Sequence, residues 1–115
     1  MIYHITHQNE WEEALEERSY QADSLQTEGF IHCSKLEQLQ CTANRYYQGE
    51  KNLLILCIDE DRLTSPVKYE NTTNGTELFP HIYGPLNPSA VTTLVVLKPQ
   101  TDGSFVIPNG LQDWA

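Results

Sequence analysis

The sequence predicts an α+β fold, in which helices pack against a twisted, mostly antiparallel β-sheet. Three observations carry that expectation. Both stretches with helical spacing lie before residue 50, the strand-like stretches after them follow one another without helices between, and Leu53–Ile58 is a continuous apolar run of strand length. Helices first and strands afterwards is the α+β order, whereas regular alternation would indicate a parallel α/β sheet.

The elements follow in order. Residues 2–6 are β-branched and aromatic and read as a strand, with Ile2, His4 and Thr6 on one face and Tyr3 and Ile5 on the other. Asn9, with Glu12 three residues on, predicts a helix start; Trp11, Ala14, Leu15 and Arg18 carry its period to about Ser19 or Tyr20. Residues 21–28 show no period and read as a surface loop. Residues 30–34 read as a second strand, with Phe30, His32 and Ser34 on one face. Ser34 and Glu37 form an S-x-x-E capping box, which predicts a second helix with Leu36, Leu39, Ala43 and Tyr46 or Tyr47 on its apolar stripe and Gly49 as its stop.

Beyond residue 50 the period changes. Leu53–Ile58 reads as a fully buried central strand, and Asp59, Glu60 and Asp61 as a solvated turn. Val67–Glu70 alternates as a strand, and Asn74-Gly75 marks a turn. Residues 79–83 read as a strand whose Pro80 predicts an edge or a bulge, because proline brings no N–H to a ladder. Residues 84–88 form a turn, Val91–Leu97 a last strand, and residues 105–107 a hairpin strand.

Composition bounds the function. The 115 residues (13.2 kDa, 39% hydrophobic) suit one domain spanning 1–115. Sixteen acidic against seven basic residues leave a net charge of -9, which repels phosphate backbones and disfavours a nucleic-acid partner. No apolar run approaches the ~20 residues that span a bilayer, so no membrane partner is expected. The first residues lack the basic and apolar regions of a signal peptide. Three cysteines without C-x-x-C indicate neither a disulfide framework nor structural zinc, and a reducing, cytoplasmic setting is expected.

Four histidines, His4, His7, His32 and His81, carry the chemistry available to this chain. Phe30-x-His32-x-Ser34 and Phe79-x-His81-x-Tyr83 each set an aromatic ring, an imidazole and a hydroxyl in a row on one strand face. His4 and Thr6 on the first strand are candidates for the same cleft. Glu70 is either an exposed edge charge or a carboxylate facing that cleft. Ser34 as an N-cap also leaves free amides beside it, which suit an anion. A metal centre of two histidines and a carboxylate would draw on His4, His7, His32, His81 and Glu70, although no preformed ligand spacing marks one.

The blocks Glu28-Gly29-Phe30-Ile31-His32-Cys33-Ser34 and Phe79-Pro80-His81-Ile82-Tyr83-Gly84-Pro85-Leu86, together with Tyr3-His4-Ile5-Thr6 and Val67-Lys68-Tyr69-Glu70, resemble a small bacterial family, domain of unknown function 952. That family is grouped with the ADP-ribosyltransferase-like superfamily. The resemblance therefore implies a split sheet with NAD, or another small nucleotide, held between its halves. It implies that His4 holds the adenosine ribose side and that His32 and Ser34 flank the nicotinamide, with Thr6, Tyr83 and Arg45 lining the cleft. His81, Tyr83 or Glu70 would then act on the leaving group or acceptor. The superfamily's glutamate on the later strand has no counterpart there; Glu77 precedes that strand and Glu70 lies on the one before. Two functions follow as alternatives: cleavage or transfer at the N-glycosidic bond of NAD, or ligand binding without turnover. A His–His pairing of His4 and His32 also resembles RNA 2'-phosphotransferases, against which the acidic surface counts.

Overall fold

The structure, a computed structural model, describes residues 1–71 and 75–107; Asn74 of the expected Asn-Gly turn lies outside them. Six strands, β1 (Ile2–His7), β2 (Ile31–His32), β3 (Leu53–Ile58), β4 (Val67–Glu70), β5 (Phe79–Ile82) and β6 (Val91–Leu97), form two three-stranded antiparallel sheets. The first has the order β1-β3-β6 and the second β2-β5-β4. Three helices accompany them: α1 (Gln8–Glu17), α2 (Asp23–Thr27) and α3 (Leu36–Tyr46). The α+β class and the antiparallel split into two sheets thus hold.

β3 is central, and all six of its residues are buried because both of its faces are covered. Strand alternation divides the apolar residues between two cores. On one face Ile2, Leu54, Leu56 and Ile58 pack with Trp11 and Ala14 of α1 and with Ile31 and Ile82 of the second sheet. On the other, Tyr3, Ile5, Leu53, Ile55 and Cys57 pack with Leu39 and Ala43 of α3 and with Phe105. The sheets join where Ser34 pairs with Tyr3, by backbone hydrogen bonds of 2.9 and 2.8 Å.

Several boundaries differ from expectation, each for a local reason. The helix start moves from Asn9 to His7, because β1 runs directly into α1 and the carbonyl of Asn52 accepts the Gln8 amide at 2.8 Å. The expected loop at 21–28 contains α2, whose five residues are too few to display a period. Ser34 does not cap α3. Its carbonyl, which an N-cap gives to the helix, instead accepts the Tyr3 amide, so the cap moves to Lys35, whose amide donates to Gln38 Oε1 at 2.9 Å.

β5 is not an edge; it lies between β2 and β4. Pro80 is tolerated there because its N and O both face β2. Its carbonyl accepts the Cys33 amide at 3.0 Å, and the N–H it lacks falls where the β2 ladder stops, which leaves β2 two residues long in place of the expected five. The expected hairpin strand at 105–107 is absent. Phe105 is buried there with its amide and carbonyl held by the Asn44 side chain at 2.7 and 3.1 Å, while the Ile107 amide donates to Gln40 Oε1. Helix side chains take the place of a neighbouring strand.

Candidate functional site

The second sheet has one apolar face and one polar, aromatic face. Ile31, Ile82 and Val67 align across the three strands and point into the first core. One residue along, His32, His81 and Lys68 align on the opposite face, beside the pair Glu70 and Phe79. Period-two alternation therefore brings together residues from three distant segments.

His81 is the hub, at 1% exposure. The Phe30 ring stacks on it with centroids 4.1 Å apart and an interplanar angle of 18°. His32 meets it edge-on at 5.3 Å, and Phe30 also contacts the rings of His32 and Tyr83, at 4.9 and 5.3 Å. His81 Nδ1 lies 3.0 Å from Glu70 Oε1, and the Tyr83 hydroxyl donates to the same oxygen at 2.5 Å. Both contacts use Oε1, on a side chain that is one-third exposed. The Tyr83 hydrogen bond, then that of His81, hold the Glu70 carboxyl below its ordinary range, so it is ionised at neutral pH; Glu70 in turn raises the Tyr83 phenol.

Two further charges complete the face. Glu28, at the end of α2, holds His32 through an Oε2–Nε2 contact of 2.8 Å. Lys68 sets its ammonium 4.9 Å above the Tyr83 ring. The arrangement offers an ionised carboxylate, a half-exposed imidazole and a cation around an aromatic floor.

The other expected residues lie elsewhere. His4 is buried on the first-core face of β1, with Nδ1 2.6 Å from the backbone carbonyl of His32 and Nε2 2.9 Å from Tyr20 Oη. Burial pushes its pKa down to about 4, against the raising effect of the His32 carbonyl. The ring is therefore neutral at pH 7, with its proton on the Nδ1 that faces the carbonyl. Thr6 Oγ1 stands 2.9 Å from Tyr20 Oη and donates to Glu10 Oε2 at 3.1 Å. His4 and Thr6 thus meet the cluster only through the backbone of His32. Ser34 is buried and donates to Thr42 Oγ1 at 3.2 Å, and Arg45 lies over the Tyr46 ring at 5.6 Å. His7 pairs with Glu50 at 2.7 Å and lies 3.8 Å from Glu10, and no group of three or more metal-ligating side chains occurs among the described residues.

A protein family described as "Protein of unknown function (DUF952)" matches residues 5–94. The chain belongs to the DUF952 family. Its solved relatives include protein CC0527 of Caulobacter crescentus. The crystal structure of CC0527 is 34% identical over 91% of this chain and 92% of that one, with a TM-score of 0.83. Its solution NMR structure is 33% identical over 97% and 94%, with a TM-score of 0.78. No curated protein matches the chain.

Within this DUF952 chain, alternation shows which residues share a strand face, Phe30 with His32 and His81 with Tyr83; that these faces adjoin, and that Glu70 joins them, comes from the pairing of β5 with β2 and β4. Glu28 and Lys68 join them in the structure. Lys68 was recoverable, since it stands two residues before Glu70 and shares its face. Glu28 reaches His32 from the end of α2, a helix too short to show a period in the sequence. No helix among the described residues is long and apolar enough to cross a membrane, and the three cysteines are free, with Cys33 and Cys57 buried.

Proposed function

We propose that the outer face of the second sheet binds a small nucleotide of the NAD type, with Glu70 as the group that acts on its ribose. The observation that carries this reading is the convergence of Tyr83 and His81 on one oxygen of Glu70, which keeps the carboxylate ionised and fixed. The two-sheet architecture and the sequence resemblance support an ADP-ribosyltransferase-like grouping. The donor set suits such a ligand. In this reading Lys68, which lies over the Tyr83 ring, takes the diphosphate, the half-exposed His32 ring stacks on a base, and Glu70 Oε2 accepts from a ribose hydroxyl.

If turnover follows binding, the bond broken is the ribose C–N bond, whose electron pair departs with the nicotinamide ring. Glu70 then offsets the positive charge developing at the ribose carbon, a role a carboxylate fills best when preorganised. His32 is the imidazole exposed enough to take the proton of an incoming hydroxyl. His4 does not contact the ligand in this reading. It positions the His32 backbone by holding its carbonyl.

A second reading, binding without turnover, is favoured by the burial of His81, which keeps one of the two imidazoles from exchanging protons with a substrate. Calorimetric titration with NAD, paired with an assay for released nicotinamide, separates the readings. Saturable binding should weaken at least about tenfold in Glu70→Gln and in His32→Ala, each checked for fold by circular dichroism. Release of nicotinamide that Glu70→Gln abolishes marks catalysis; binding without release marks the module. Absence of binding by the intact protein up to about 1 mM NAD overturns both.

A further inference from the structure

The two sheets present four edges, and three of them are guarded. β1 is covered where Ser34 pairs with Tyr3. β2 is two residues long and ends at the proline of its neighbour. β4 is four residues long and carries Lys68 and Glu70. Short length, charge and covering are the usual devices that keep strand edges from pairing with other chains. β6 has none of them over most of its length. Its seven residues, VTTLVVL, bear no charge, and among the described residues nothing pairs with its outer side. A register shift opposite Cys57 and Ile58 disturbs only its first residues. Leu94 and Val96 are 44% and 58% exposed, on the face that continues Leu56 and Leu54 of β3.

The two ends of this edge differ in charge. Lys98 follows the strand, and it lines with Lys51, Leu53 and Val96 a depression of about 440 Å³. At the other end Ala90 accepts the Asp59 amide at 2.9 Å, which brings Asp59, Glu60 and Asp61 beside the start of the strand. A chain of net charge -9 thus sets Lys98 and Lys51 at one end of an uncharged edge, beside a Glu50 that His7 holds at 2.7 Å. Asp59, Glu60 and Asp61 stand at the other, with Arg62 paired to Asp59 at 3.5 Å. The excess charge is therefore basic at one end and acidic at the other. Antiparallel pairing of two such edges about a twofold axis at Leu94 sets position 98 of one copy opposite position 90 of the other. Each basic end then meets an acidic end, twice per dimer, and Leu94 meets its own copy at the centre.

We propose that β6 is a homodimer interface, in which two copies pair β6 antiparallel and join their first sheets into one six-stranded sheet. The occupant is a second copy of this chain, because the pattern of apolar centre and opposite charged ends is complementary to itself. The proposal is independent of the nucleotide reading, since the nucleotide face lies on the other sheet.

Sedimentation velocity of the intact chain tests it, over a concentration series reaching about 1 mM, where weak contacts become populated. The mass should rise toward twice the chain mass, and Leu94→Lys should return it to the monomer with an unchanged circular dichroism spectrum. Val96→Lys serves as the second variant should the first disturb the fold. Lys98→Glu and Asp61→Lys should each weaken self-association, and an equimolar mixture of the two should restore it, because each variant then carries one sign at both ends. A monomer throughout the series, a dimer indifferent to lysine at both positions, or a mixture no stronger than its components would each overturn the proposal.

Discussion

His4 is where a residue's chemistry departs most from what its type suggests. An exposed histidine titrates near ~6.5. This one is buried between Tyr20 and the His32 carbonyl and is pushed down to about 4, with burial as the leading cause. The folded state therefore favours the neutral ring, while the unfolded chain takes up a proton as soon as pH falls below ~6.5. Its contribution to stability is complete above that value and is lost progressively as pH falls toward about 4, a difference of about 3 kcal/mol at full protonation. Urea unfolding of the native chain and of His4→Gln at matched pH values isolates this effect, because the carboxylates are common to both. The variant is expected to be less stable at pH 7 and to lose less stability between pH 6.5 and 4.5. Parallel pH profiles would show that His4 does not titrate with folding.

At the scale of elements, side chains do work usually left to the backbone. Asn44 of α3 donates to and accepts from the same buried residue, Phe105, and so anchors the segment after β6 without a strand. Asn44→Ala leaves an amide and a carbonyl unpaired in a buried place, at a cost of about 1–3 kcal/mol. Amide exchange measures it directly: the Phe105 amide should lose protection while those of β3 fall only by the global destabilisation. Equal loss at both would mean that the segment unfolds only with the whole protein. β5 makes the complementary point. Its proline is compatible with a central position because the neighbour on that side is the shortest strand in the fold.

For the whole molecule, charge is the term that composition leaves uncompensated. Sixteen acidic residues on one small domain repel each other, and the histidine–carboxylate pairs outside the cluster centre, such as His7–Glu50 and His32–Glu28, are exposed and worth little. Raising salt from about 0.01 to 0.15 M shortens the screening length from about 30 to 8 Å. The thermal midpoint of dilute protein, followed by circular dichroism, should accordingly rise by a few degrees. A fall would mean that attractive pairs outweigh the net repulsion.

Much of this architecture was legible in the linear pattern because it rests on local periodicity. The period of two in residues 2–6 and 67–70, the apolar run of β3 and the helical spacing of α1 and α3 each report which side of an element must leave water. The same alternation set Phe30 with His32, and His81 with Tyr83, on single strand faces. That these faces adjoin, that Glu70 and not Glu77 meets them, and that His4 turns into the core depend on which strands pair and in what register. Those outcomes belong to contacts between residues far apart in the chain. The Ser34 cap failed for the same reason, since its carbonyl was claimed by Tyr3, thirty-one positions away. Local physics sets the faces of an element, and only packing decides what each face meets.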